Sequence, residues 1–215
     1  MDGITGLCIV VGAGEFTETA LTVQPQDLLI AADGGWQHLL PLGVAPHLVL
    51  GDFDSSPRPP FGQVLQFPER KDQTDTQLAL QYGFDQGYRR FAVYGGTGGR
   101  IDHTLANLQC LAALSRKGAH AVLYGEDYAV CAVTNGALEL PAAMHGTVSV
   151  FAYGGTAHGV TIEGLSYTAQ SVDLADDVPL GVSNRCIGLD ARIAVQNGTL
   201  LVYWQRGNSQ PHPAE

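Results

Sequence analysis

Short apolar runs that end in Gly or Asp alternate with stretches of helical spacing, and this alternation constrains the fold more than any other feature of the chain. Leu7 to Val11 closes on Gly12-Ala13-Gly14, and Leu28 to Ala32 closes on Asp33-Gly34-Gly35. Leu48 to Gly51 runs into Asp52-Phe53-Asp54, Phe91 to Tyr94 runs into Gly95-Gly96, and Val64 to Phe67 reads as a further strand. Residues 36–42 read as a short helix stopped by Gly43 and Pro46. The spacing of Leu78, Ala79 and Tyr82 predicts a helix from Thr74 to about Gly87. A second long helix is predicted from Asp102, with Leu105, Leu108 and Leu111-Ala112 on one face and Gly118 as its stop. Strands alternating with helices imply a mostly parallel sheet covered by helices.

Beyond about residue 125 the helical periodicity disappears. Short β-rich runs take over at Tyr128–Val133, Thr147–Tyr153, Gly159–Glu163 and Cys186–Val195. Residues 191–196, Asn197-Gly198 and Thr199 to Trp204 read as a hairpin closed by a type I′ turn. The predicted fold is therefore an α/β N-terminal domain with a mostly parallel sheet, residues 1–126, followed by a small all-β sandwich domain, residues 127–215.

A formal net charge of −10 argues against a nucleic-acid groove or an anionic membrane as partner. No apolar run approaches the roughly 18 residues of a membrane span, and no signal segment is apparent, so a cytoplasmic protein is expected. The widely spaced Cys8, Cys110, Cys131 and Cys186 read as reduced thiols rather than as a zinc site.

In an open parallel sheet, ligands bind outside the carboxyl ends of the strands. Asp33-Gly34-Gly35, Asp52 with Asp54, Asp72 with Asp75, and the loop Gly95 to Arg100 all fall at that edge. Alternate residues of an extended segment point the same way, so Asp52 and Asp54 are expected side by side. Two such carboxylates repel unless a proton or cation lies between them, and Mg²⁺ is the usual cation where phosphate is also bound. By itself, Asp-x-Asp equally suits a turn whose side chains cap the next segment. Gly95-Gly96-Thr97-Gly98-Gly99-Arg100 joins a strand to a helix, where backbone N–H groups can cradle phosphate and Arg100 adds a forked donor. No Gly-Lys-Ser/Thr follows, so this is not a Walker A loop, and a glycine run also suits a flexible hairpin. Asp102 fits either the site or an ordinary N-cap. Together the carboxylates and the glycine loop read as Mg²⁺-nucleotide chemistry.

Ala32-Asp33-Gly34-Gly35, Gly51-Asp52-Phe53-Asp54-Ser55, Lys71-Asp72-Gln73-Thr74-Asp75 and Gly98-Gly99-Arg100-Ile101-Asp102-His103 occur in that order. They resemble the signature set of thiamine pyrophosphokinases (thiamine diphosphokinases). Gly164-Leu165-Ser166-Tyr167 and Gly181-Val182-Ser183-Asn184 resemble that family's second domain, so the likeness spans nearly the whole chain. The resemblance implies an α/β domain binding Mg²⁺ and ATP, a thiamine-binding β-sandwich domain, and a homodimer with thiamine at the subunit interface. It implies transfer of a pyrophosphoryl group from ATP to the thiamine hydroxyl, giving thiamine diphosphate and AMP.

Carried onto this chain, Asp52, Asp54 and Asp75 would ligate or surround Mg²⁺, with Asp72 and Asp102 as further candidates. Gly95, Gly96, Thr97, Gly98, Gly99, Arg100 and Lys71 would hold the triphosphate. Asp33, Gly34 and Gly35 would line the site beneath the nucleotide or the thiamine alcohol, and Ser183 and Asn184 would meet the aminopyrimidine. The catalytic set would be Asp54, Asp75, Asp102 and Arg100, with Asp75 or Asp102 accepting the hydroxyl proton. Two residues depart from the pattern: His47 stands where the family more often has an acidic residue, and Arg185 follows Ser-Asn.

Rival readings explain less. A nucleotide-sugar transferase also uses Asp-x-Asp, but leaves the Lys-Asp-x-Thr-Asp and Gly-Gly-Arg-x-Asp-His strings unexplained. An aspartyl phosphatase would place its Asp after the first strand. A non-catalytic thiamine- or nucleotide-binding regulator would need the pockets but not every carboxylate.

Overall fold

The structure is a computed structural model that describes residues 4–53, 59–60, 63–67 and 72–206. The chain forms two compact units, Met1–Cys110 with Ala121–Glu126, and Leu111–His120 with Asp127–Glu215.

The first unit is built on strands β1 (Cys8–Val11), β2 (Leu28–Ala32), β3 (Leu48–Gly51), β4 (Val64–Gln66), β5 (Arg90–Tyr94) and β6 (His120–Tyr124). They lie in the order β6-β5-β1-β2-β3-β4. β1 pairs parallel with both β2 and β5, β2 with β3, and β3 with β4. β1 and β3 are buried at every position, which explains why their sequences are continuously apolar instead of alternating. From β1 the chain builds outward through β2, β3 and β4 on one side, then returns to β5 on the other. The order therefore reverses at β1 and β5, and the crevice beyond their carboxyl ends is a topological switch point.

Helix α1 (Trp36–Leu39) follows a 3-10 turn at Asp33–Gly35 and is shorter than the predicted 36–42. Helix α2 (Asp75–Asp85) is N-capped by Thr74, whose hydroxyl accepts the Gln77 N–H at 3.1 Å. Helix α3 runs from Ile101 to Arg116. The departure at His47 has a local explanation. Its Nδ1 accepts the Leu29 N–H at 2.9 Å while its own N–H donates to the Leu29 carbonyl at 2.9 Å, so the imidazole is an acceptor where a carboxylate could serve equally.

The second unit contains β7 (Tyr128–Thr134), β8 (Ala137–Leu140), β9 (Thr147–Ala152), β10 (Ala157–Glu163), β11 (Ala169–Leu174), β12 (Gly181–Arg185), β13 (Ala191–Ala194) and β14 (Thr199–Gln205). Four lie in the order β12-β9-β14-β7 and four in the order β11-β10-β13-β8, with every pairing antiparallel. The predicted hairpin is not formed. β13 pairs with β8 and β10, whereas β14 pairs with β7 and β9, so Asn197-Gly198 carries the chain from one sheet to the other. β14 is buried from Thr199 through Val202 and needs a strand on each side; Asn197 instead bridges His158. The run Cys186–Val195 likewise is not one strand, since Cys186 bridges Leu165 and only Ala191–Ala194 joins a sheet.

Among the described residues no helix is long and apolar enough to cross a membrane. All four thiols are free, and burial pushes those of Cys8 and Cys131 up to about 12.

Candidate active site

Three carboxylates converge at the carboxyl edge of the first unit. Asp33 follows β2 and takes φ +48°, a left-handed conformation that Asp tolerates better than most residues. Gly51 ends β3 so close to it that a Cβ would lie 3.1 Å from the Asp33 Cα. Asp52 comes next, and Asp75 opens α2. One carboxylate oxygen from each of Asp33, Asp52 and Asp75 lies within 4.8 Å of the other two, and all three residues are half-buried. A hard oxygen donor set of this kind fits Mg²⁺, which would relieve the mutual repulsion.

Among the described residues, Asp33 joins the Asp52 and Asp75 that were expected around the ion. Phe53 takes φ +56°, so the backbone leaves the extended conformation at that residue. Among the described residues, the carboxylate neighbours of Asp52 come from the β2 edge and the start of α2. Asp54 and Lys71 lie outside the described residues. Asp72 is exposed and contributes no atom to the cluster.

Beside the carboxylates lies a cavity of about 330 Å³. The segment after β1 supplies Ala13 and Gly14, the end of β2 supplies Ala32 and Asp33, and the start of α2 supplies Thr74, Asp75 and Thr76. The loop Gly95 to Arg100 forms another wall, with His103 and Asn107 from α3. Gly34 and Gly35 are buried within the 3-10 turn and do not line it.

The loop's backbone is tied down carbonyl by carbonyl. Gly14 N–H donates to the Gly95 carbonyl at 2.8 Å, the Asn107 Nδ2 to that of Gly96 at 2.7 Å, and Glu15 N–H to that of Thr97 at 2.7 Å. Within a trans peptide the N–H points opposite to the C=O. Three captured carbonyls thus leave the N–H groups of Gly96, Thr97 and Gly98 facing the other way, and among the described residues none of the three donates to a backbone carbonyl. Successive N–H groups arranged so form an anion-binding nest. Thr97 is 2% exposed, and its hydroxyl has no partner among the described residues. Gly14 is demanded by this packing, because a Cβ there would sit 2.4 Å from the Thr97 carbonyl oxygen.

Arg100 stands at the rim with its fork closed on Asp102, Nη2 to Oδ2 at 2.5 Å and Nε to Oδ1 at 3.2 Å, both side chains largely exposed. Hydrogen bonding to the guanidinium holds the Asp102 carboxyl below the usual carboxylate range. Asp102 does not line the cavity, whereas Asp75 does.

Ser183 and Asn184 lie in β12 of the second unit. Asn184 is 5% exposed and both ends of its amide are bonded: Nδ2 donates to the Tyr167 carbonyl at 2.6 Å, and Oδ1 accepts the N–H groups of Tyr167 and Arg185, each at 2.9 Å. It braces the Tyr167 turn. Ser183 is exposed at φ +63°, with its N–H donated to Ser149 Oγ at 3.1 Å.

Ala13, Gly14, Thr74, Thr76 and Asn107 were not anticipated as lining residues. Gly12-Ala13-Gly14 did carry a signal, a Gly-x-Gly at the end of a first strand. Asn107 follows His103 by four residues, which places both on one helix face.

Residues 19–123 match the family model described as thiamin pyrophosphokinase, catalytic domain. The thiamine pyrophosphokinase of Bacillus subtilis (strain 168) is 35% identical over 91 residues, a stretch covering 39% of this chain and 42% of that relative. The crystal structure of thiamine pyrophosphokinase from Bacillus subtilis superposes with a TM-score of 0.82 at 23% identity, over 95% of this chain and 100% of that one. A thiamin pyrophosphokinase family protein from Enterococcus faecalis gives a TM-score of 0.77 at 25% identity, covering 95% and 100% of the two chains. The enzyme from Candida albicans shares the fold at 12% identity, with a TM-score of 0.75 over 94% of this chain and 89% of that one.

Proposed function

We propose, from the match of residues 19–123 to the thiamin pyrophosphokinase catalytic-domain model, that this protein transfers a pyrophosphoryl group from ATP to the hydroxyl of thiamine, releasing AMP. The observation that carries the reading is the meeting of Asp33, Asp52 and Asp75 beside a loop whose N–H groups are left for an anion. Asp33, Asp52 and Asp75 would hold Mg²⁺, with Asp54, two residues after Asp52, as a further ligand. When bound, the ion would neutralise charge on the phosphates. The N–H groups of Gly96, Thr97 and Gly98 would receive phosphate oxygens. Arg100 would exchange the Asp102 carboxylate for a phosphate, a swap that solvent exposure of the pair makes inexpensive. Such chemistry consists mostly of positioning and charge stabilisation. Of the two carboxylates considered as acceptor of the hydroxyl proton, Asp75 is favoured because it lines the cavity.

Thiamine would be held by the second unit, with exposed Ser183 meeting the aminopyrimidine and Asn184 shaping the turn beside it. A cytoplasmic homodimer is the assembly that we infer. The second unit exposes Val178, Leu180, Val182, Ile187 and Leu189 along one stretch of sequence, an apolar set suited to a second copy.

The test is a product assay with purified protein, thiamine, ATP and Mg²⁺, separated chromatographically. Thiamine diphosphate and AMP in equal amounts are expected, with kcat lowered about 100-fold or more in Asp75→Asn. ADP with thiamine monophosphate would move the attack to the γ-phosphate. Absence of turnover despite thiamine binding would favour a non-catalytic regulator.

A further inference from the structure

Resting on the nucleotide reading above, we propose that Asn107 is the positioning residue of the phosphate loop, holding the Gly96–Thr97 peptide in the one orientation that satisfies its oxygen and leaves its N–H for the ligand. The carbonyls of Gly95 and Thr97 are held by backbone N–H groups of the segment after β1, with no side chain taking part. That of Gly96 alone among the three is held by a side chain, at 2.7 Å, from a residue only 5% exposed.

Packing leaves this arrangement little freedom. A Cβ on Gly96 would lie 2.7 Å from Leu123 Cδ1 and 3.0 Å from the Asn107 Nδ2, so the peptide sits flush against β6 and α3. Without the amide donor, the Gly96 oxygen would be stranded in a buried place, at a cost that favours reorienting the peptide. Gly96 lacks a Cβ and resists such a flip weakly. A flipped peptide would turn its oxygen towards the phosphates and withdraw the Thr97 N–H. Carboxylate in place of the amide would do worse, since it accepts only and adds like charge beside the anion. Thr97, on the same peptide, lines the cavity and has a buried hydroxyl with no partner among the described residues, a polar atom that a bound ligand would satisfy.

Equilibrium binding of Mg²⁺-ATP by titration calorimetry, combined with steady-state kinetics, tests the proposal on wild type, Asn107→Ala, Asn107→Leu and Asn107→Asp. Leu fills the space without a polar atom and keeps the test alive if the Ala variant does not fold; cooperative melting identifies folded variants. We expect Kd and KM for ATP to rise about tenfold in Asn107→Ala or Asn107→Leu and about 100-fold in Asn107→Asp. The KM for thiamine should stay within about twofold. A folded Ala or Leu variant that binds ATP as wild type does, or that raises both KM values alike, overturns the proposal. Wild type that binds ATP yet does not convert thiamine would sink the thiamine reading while leaving the ATP comparison as a test of Asn107. Wild type that binds no ATP sinks both.

Discussion

Arg100 and Asp102 stand two positions apart, and their roles are separable by titration. The guanidinium depresses the Asp102 pKa, so its folded-state carboxyl is ionised well below neutrality. A depressed carboxylate contributes stability above its unfolded pKa of about 3.9 and loses it as pH falls through the folded value. Both side chains are exposed, so screening keeps that contribution small. NMR titration of the Asp102 carboxyl should give a midpoint below about 3.9, rising towards it in Arg100→Gln. An unshifted midpoint in wild type would mean that the ion pair does not persist in solution. Kinetics separate the chemical roles: if Asp102 only occupies Arg100 between turnovers, Asp102→Asn keeps kcat within about threefold. A proton acceptor would lose about 100-fold or more.

At the scale of elements, the site depends on where strands and helices end. α2 begins at the cavity because Thr74 caps it, placing Asp75 in the first turn where the helix dipole also favours a carboxylate. Thr74→Ala removes an acceptor for the Gln77 N–H and should cost about 1 kcal/mol. The measurement is a lower urea midpoint at unchanged slope. A midpoint equal to that of wild type would show that the α2 start is held by packing alone. β1 and β5 run parallel and continue past their ends as Gly12 N–H to the Tyr94 carbonyl, then Gly14 to Gly95 and Glu15 to Thr97. Strand pairing thus extends into the phosphate loop, which is how a sheet imposes its order on a glycine-rich segment.

For the whole molecule, the testable property is association. Leu180 and Leu189 are 73% and 58% exposed, and burying such side chains against a second copy would take apolar surface out of water. Sedimentation equilibrium should give twice the mass of the 22.7 kDa chain. Leu180→Glu combined with Leu189→Glu should shift it to monomer, with a cooperative melt retained. A wild-type monomer at micromolar concentration would refute the dimer and leave that apolar set without an occupant.

The apolar runs, the caps and the glycine punctuation determined by themselves the parallel strands β1 to β5, the helices α2 and α3, and the edge where carboxylates and the glycine loop gather. Each is a local property, readable from periodicity and from which residue can start or stop an element. Tertiary structure alone decided which carboxylates meet. Asp33 joins Asp52 because β2 and β3 are neighbours and Gly51 admits a close approach. It also decided that Asn197-Gly198 crosses between sheets, since a two-residue turn signal cannot reveal that β7 and β9 already flank β14. Asn107 and Asn184 show the same limit at the smallest scale. Their amides act on carbonyls that are distant in the chain, and only the folded backbone brings those carbonyls within reach.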